Sequence, residues 1–284
     1  MSVDDFSSPD STKLGFIDTH NHLCDSAFLD DVDEVVHRAM ASGVQAAIVL
    51  TETIPDINRA LELREKYPDW VNLGFGIHPI QKRNDGSNLP RSVVAKDMDG
   101  FRELLQKYSD LLVAIGEVGL DFTPSICATP DSHEIQRHVL STQIRLANRF
   151  NLPLNVHSRS ASKPTIELLR SEGATRVQMH AFDGRPSQAL IGVSAGYYFS
   201  VPPCVLRSKQ KQELVKAVPL TNLLLETDAP VLGVSAEVRN EPASVVRACE
   251  YIAEAKGLDV ATVRQITSEN AQKLYPNLKL KQWM

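Results

Sequence analysis

The 284-residue chain is 43% hydrophobic and 23% charged, ordinary proportions for one compact domain with a sizeable core. Its formal net charge of −5 excludes a broad basic face for wrapping duplex DNA, although a local basic patch is compatible with that sum. No apolar stretch approaches the roughly 20 residues of a membrane span, which excludes a membrane partner, and the opening MSVDDFSSPDSTK lacks the basic and apolar regions of a signal peptide.

The expected residence is therefore cytoplasmic or nuclear. Residues 1–13 are polar and read as a flexible tail, followed by a single catalytic domain over 14–276 and a C-terminal tail over 277–284. Within the domain, short apolar runs bounded by turn residues predict strands buried on both faces. They begin near Gly15, Val44, Val71, Leu111, Leu152, Thr175, Gly196 and Asn222, and a helical pattern follows each. In SHEIQRHVLSTQIRLANRF, for example, Ile135, Val139, Thr142, Leu146 and Phe150 predict one apolar stripe. Such alternation over this length predicts an α/β fold, a (β/α)8 TIM barrel of the metal-dependent hydrolase type, which needs about 250 residues. An open doubly wound sheet would place a glycine-rich phosphate loop after its first strand, where this chain has DTHNHL.

Six residues of metal-ligand type stand at or just past strand ends: His20, His22, Glu117, His157, His180 and Asp228. Barrel enzymes carry their chemistry at that end of the strands. His20 and His22, two residues apart, face the same way and can grip one cation, with Asp18 placed to orient a ring or touch the metal. His157 and His180 end consecutive strands and can hold a second cation. Glu117 lies between the two groups and is the natural bridge, while Asp228 ends the strand that meets the first when the barrel closes. Burying these groups without a cation would cost several kcal/mol per unpaired charge. Two divalent ions are expected, and imidazole with carboxylate suits Zn, Mg or Mn.

Around that centre, His78 in GIHP and Arg159 in VHSR can donate to phosphate oxygens. Asp121 and Asn240 can hold substrate or loops, and Gly116, Gly119 and Gly184 suit tight turns. Arg207, Lys209 and Lys211 open a helix after the seventh strand, either as a phosphate contact or as a solvated face. His37, His133 and His138 read as surface residues. Cys24, Cys127, Cys204 and Cys249 lack paired spacing and read as reduced thiols.

Taken in order, IDTHNHL, GIHP, GEVGLD, VHSR, HAFDG, ETDAP, RNEP and ENA resemble the motifs of the TatD family of metal-dependent deoxyribonucleases. VHSRSA and HAFDGRPS are similar to its eukaryotic subgroup. The resemblance runs from about Gly15 to Tyr275. It implies a TIM barrel with two or sometimes three metals and hydrolysis of phosphodiesters in DNA, including 3′-exonuclease and abasic-site cleavage in some members. The family's ligands fall on His20, His22, Glu117, His157, His180 and Asp228. Two departures stand out: Phe122, Thr123 and Pro124 follow GLD where many members carry aromatic and basic residues, and THNH replaces the common THCH.

The expected reaction is attack on phosphorus by a water that two cations activate, with Asp228 orienting or deprotonating it and Glu117 fixing the metal spacing. The substrate would be single-stranded or damaged DNA. An amidohydrolase or deaminase is the rival enzyme, although such sites often carry a lysine where this chain has Glu117. A barrel without catalysis, acting as a binding module, is the rival from another class. The sequence leaves the oligomeric state open.

Overall fold

The computed structural model describes residues 14–83, 85–87 and 89–282. The predicted N-terminal tail lies outside the described residues. The strands are β1 (Phe16–Asn21), β2 (Val44–Leu50), β3 (Val71–Phe75), β4 (Leu112–Gly119), β5 (Leu154–His157), β6 (Val177–Met179), β7 (Tyr198–Val201) and β8 (Leu223–Leu225), each beginning within two residues of its expected start. They pair in chain order as one parallel eight-stranded sheet. Helices α1 (Val32–Ala41), α2 (Asp56–Lys66), α3 (Phe101–Tyr108), α4 (Pro130–Phe150), α5 (Ser162–Ser171), α6 (Pro186–Ser194), α7 (Lys209–Ala217), α8 (Val245–Lys256) and α9 (Val260–Leu274) surround it. The result is the TIM barrel, with its helices as the outer ring.

The sheet curls until β8 meets β1, and that seam is held largely by side chains. Thr19 Oγ1 donates to the Leu225 carbonyl at 2.8 Å, and the Asp18 carboxylate accepts from the Thr227 amide at 2.8 Å and its hydroxyl at 2.6 Å. Backbone bonds from Asp228 N to His20 O (2.9 Å) and from His22 N to Ala229 O (2.8 Å) continue it. Asp18 therefore does not orient an imidazole, contrary to expectation. Its buried carboxylate is occupied by Thr227, just past the last strand, and by the His20 amide and the Asn21 side chain.

Apolar residues pack in two layers. The larger one, including Val35, Phe101, Ile144 and Ile252, lies among the strands and helices, and a smaller one groups Ile17, Ile48, Leu50, Val113, Leu224 and Tyr275. Residues after α9 cross the strand starts, where Asn72 bonds both the amide and the carbonyl of Lys279 at 2.8 and 3.0 Å. Between β3 and α3 lies a two-stranded antiparallel ribbon, Ile80–Lys82 with Pro90–Ser92, which the sequence reading did not foresee. The Asp85-Gly86 pair, with Gly86 at φ 81°, was the turn signal available for it.

The expected stripe on α4 is partly wrong. Ile135 is 37% exposed, while Gln136 and Gln143 are fully buried beside Val139 and Leu146. Periodicity weighed the apolar residues and passed over two amides whose partners are backbone groups of the active-site loops.

Gly119 ends β4 at φ 157°, and a Cβ there would meet the His157 carbonyl oxygen at 2.0 Å. Gly119→Ala is expected to cost at least about 2 kcal/mol in chemical denaturation. Gly257→Ala, at φ 64° with nothing within 4 Å, should cost about 1 kcal/mol. Equal losses in the two variants would show that the close approach to His157 is unimportant.

Candidate metal centre

The six expected ligands converge at the carboxyl end of the barrel. Three groups of side chains offer ligand atoms within 4.8 Å of one another: His20 with His22 and Glu117, His20 with His180 and Asp228, and His78 with Glu117 and His157. Nε2 of His20 lies 3.1 Å from Nε2 of His22, and both face Glu117 Oε2 (3.5 and 3.2 Å) and Asp228 Oδ1 (3.3 and 3.4 Å). The other Glu117 oxygen, Oε1, faces His157 Nδ1 at 2.8 Å and His180 Nε2 at 3.6 Å. One carboxylate thus turns its two oxygens to two different sets of rings.

Whether this arrangement fits a cation follows from the far side of each ring. His22 Nδ1 lies 3.1 Å from the Leu50 carbonyl, which can only accept, so the ring hydrogen sits on Nδ1. His180 Nδ1 meets the Glu226 carboxylate at 2.9 Å, with the same consequence. His20 Nδ1 meets Asn155 Oδ1 at 2.7 Å, and the Asn155 amide donates to Thr19 O and to the Tyr275 hydroxyl, which fixes Oδ1 as the acceptor. Neutral rings so held present three Nε2 lone pairs to two carboxylates. Lone pairs facing carboxylate oxygens repel unless a cation lies among them, so the donor set fits a metal.

Electrostatics say the same. Burial opposes a charge on His20, yet Glu117 and Asp228 outweigh it and lift its pKa to about 10. Burial is likewise overcome at His157, lifted to about 9 by Asp121 and Glu117. In the other direction, burial would raise Glu117 and Asp228, but the surrounding imidazoles hold both well below the usual carboxylate range. The centre demands positive charge.

Beneath the ligands lies a second level of buried polar side chains. Asn155, Gln178 and Glu226 are each two residues before His157, His180 and Asp228, and all three are fully buried. They form one directed chain of hydrogen bonds. Asn155 donates to the Tyr275 hydroxyl (3.2 Å), Tyr275 to Gln178 Oε1 (2.7 Å), Gln178 to Ser200 Oγ (2.9 Å), and Ser200 to Glu226 Oε2 (2.6 Å). No motif in the sequence singles out Asn155, Gln178 and Glu226. The available signal was the period of a strand, since residues i and i−2 share a face.

The remaining expectations divide. Arg159 and His78 line a cavity of about 250 Å³ with His22, Asp25, Glu52 and Val231 over the ligands. Burial holds the His78 pKa below the usual imidazole range. His78 Nδ1 lies 3.0 Å from both the Ile80 amide, which can donate to it, and the Ile80 carbonyl, and its Nε2 lies 3.6 Å from Glu117 Oε1. Asp121 accepts from His157 Nε2 at 3.0 Å and so orients that ring. Asn240 lies outside the cavity, where its amide donates to the Thr227 and Val231 carbonyls at 2.7 Å each.

Lys211 is neither a phosphate contact nor a solvated side chain: it is buried, and its ammonium donates to the Ala181 carbonyl at 2.6 Å. Phe122, at the first departure, stacks on His133 at 3.9 Å. The four cysteines are free and buried. Among the described residues, no helix is long and apolar enough to cross a membrane.

Residues 17–276 match the family model described as TatD related DNase. The chain is 47% identical to the human protein named Deoxyribonuclease TATDN3 over 270 residues, covering 94% of this chain and 96% of that one. It is 34% identical to the metal-dependent hydrolase YabD of Bacillus subtilis, covering 91% and 98%. Among solved structures, the TatD homologue YJJV of Escherichia coli superposes with a TM-score of 0.80 at 27% identity, covering 92% of this chain and 98% of that one. The metal-ligand clusters, the barrel and these matches together make the chain a metal-dependent hydrolase that belongs to the TatD family of deoxyribonucleases.

Proposed function

We propose that this enzyme hydrolyses phosphodiester bonds in DNA, acting as a 3′-exonuclease, an abasic-site endonuclease or both. The observation that carries the reading is the divided Glu117 carboxylate, with Oε2 toward His20 and His22 and Oε1 toward His157 and His180. His20, His22 and Asp228 would hold one divalent ion, His157 and His180 a second, and Glu117 both. Zn, Mg and Mn all suit this donor set. When bound, such a pair supplies positive charge against the phosphoryl oxygens and acidifies water.

The chain's own groups complete the reaction. Asp228, held low in pKa by its imidazole neighbours, stays ionised and accepts a hydrogen bond from water, which aims the oxygen at phosphorus. His78, neutral through burial, donates to a non-bridging oxygen in the Nε2–H tautomer that the Ile80 amide bond to Nδ1 allows. Arg159 offers a second, forked donor from the rim of the cavity. With a volume of about 250 Å³ the cavity has no room for a stretch of duplex, which favours a strand end or an extruded nucleotide. The name of the human relative supports DNA as the substrate.

Two predictions follow from the ligand set. Removing the acceptors behind the rings, in Asn155→Ala and Glu226→Ala, should weaken metal binding about 10-fold to 100-fold in a chelator competition titration. Unchanged affinity in both would show that His20 and His180 are not the ligands. For the reaction, Glu117→Ala should lower cleavage of end-labelled single-stranded DNA roughly 1000-fold with Mg2+, Mn2+ or Zn2+. Wild-type turnover in that variant would sink the bridging role, and ammonia release without strand cleavage would point instead to a deaminase.

A further inference from the structure

The buried amides of α4 reach the active site through the backbone. Gln143 bonds both backbone polar groups of Ile77, accepting from its amide at 2.9 Å and donating to its carbonyl at 3.0 Å. Gln136 does the same to Asp121, accepting from the amide at 2.7 Å and donating to the carbonyl at 2.9 Å. Its Nε2 also lies 3.3 Å from the Pro79 carbonyl and 3.1 Å from Ser92 Oγ. Both glutamines are fully buried.

A side-chain amide that pairs with the N–H and C=O of one residue copies the bonding of a neighbouring strand. It therefore fixes that residue's peptide planes and not merely its position. The two glutamines are seven residues apart, two turns on one face of a rigid helix, about 10 Å along its axis. Residue 77 precedes His78, and Asp121 orients His157. Other bonds restrain the same loop: the Glu52 carbonyl accepts from the His78 amide at 2.9 Å. A Cβ on Gly76 would meet the Glu117 backbone at 2.7 Å, so the loop is pressed against the strand that carries the central carboxylate.

We propose that Gln136 and Gln143 are positioning residues, by which α4 sets the spacing of His78 and Asp121 around the metal centre. The inference rests on the role given above to His78 as a donor to the scissile phosphate. Glutamine is suited because it is long enough to reach a loop from a helix and carries one donor arm and one acceptor. Neither amide lines the cavity, so an effect on turnover would reach the site through the backbone they hold beside His78 and at Asp121.

The test is a double-mutant cycle in the full-length, metal-loaded enzyme, pairing Gln143→Met with His78→Ala. Met keeps the length and volume of Gln but removes both hydrogen bonds. Gln143→Met should lower kcat on end-labelled single-stranded DNA about 10-fold to 100-fold, with metal affinity unchanged. The double variant should be no slower than His78→Ala alone, because the two changes remove one interaction. Multiplying effects, or a Gln143→Met kcat equal to wild type with only a lowered melting temperature, would overturn the positioning role while leaving that of His78 intact. A wild-type rate in His78→Ala would overturn the role of His78 itself, and the inference with it. Gln143→Glu, which keeps the acceptor for the Ile77 amide, carries the same cycle if the Met variant does not fold, with the same outcomes deciding it. A parallel cycle of Gln136→Met with Asp121→Ala, expected to show the same non-additivity, reads the second clamp.

Discussion

An imidazole has two nitrogens, and in this barrel one nitrogen of each central ring is already committed. His20, His22 and His180 give their Nδ1 hydrogens to Asn155, to the Leu50 carbonyl and to Glu226. That commitment determines everything at the mouth. It selects the tautomer, holds each ring in its plane, and leaves only Nε2 lone pairs to face Glu117 and Asp228. Neutral rings then offer the carboxylates no donor, so the space between calls for positive charge, from a metal ion or from protons on the rings. Were the Nδ1 partners absent, the rings could flip and donate to the carboxylates directly, and the same residues would form an ordinary buried ion-pair network.

Much of this was legible in the sequence because each candidate ligand stands within or just past a buried, largely apolar strand. LLVAIGEVG and LPLNVH announce a position where an ionisable group is out of place, and the barrel's geometry brings such positions together. What was not legible is instructive. Asn155, Gln178 and Glu226 sit inside those same runs, and a reading that treats the run as apolar absorbs them as exceptions. Gln136 and Gln143 escaped for a related reason: an amphipathic stripe is recognised by its apolar members, and a polar residue on that face looks like noise. Asp18 and Lys211 were visible as charged groups, but their partners, Thr227 and the Ala181 carbonyl, lie far along the chain. No local pattern indicates such partners.

Polar residues at depth demand strict pairing, and the structure meets that demand. Among the described residues, unpaired buried side-chain atoms are confined to Arg137, Ser158 and Arg264, and none belongs to the ligands or the level beneath them. The barrel interior is thus divided between apolar packing around Ile17, Ile48 and Leu224 and a hydrogen-bonded level that supports the ligands. Tyr275 belongs to both, with its ring in the apolar group and its hydroxyl between Asn155 and Gln178. A site resting on such a support gains its rigidity from the core directly and not from the loops above it.

The seam between β8 and β1 carries a consequence of its own. His20 and His22 come from the end of the first strand and Asp228 from just past the last, so the proposed ion would stand astride the junction where side-chain bonds of Thr19 and Asp18 join the backbone bonds of His20 and His22. Closing the circle and filling it would then be one equilibrium, a clasp joining the two ends of the domain. Starvation for metal would loosen the clasp before it touched the rest of the wall, so the first and last strands would be the first to part in a cell that has run short.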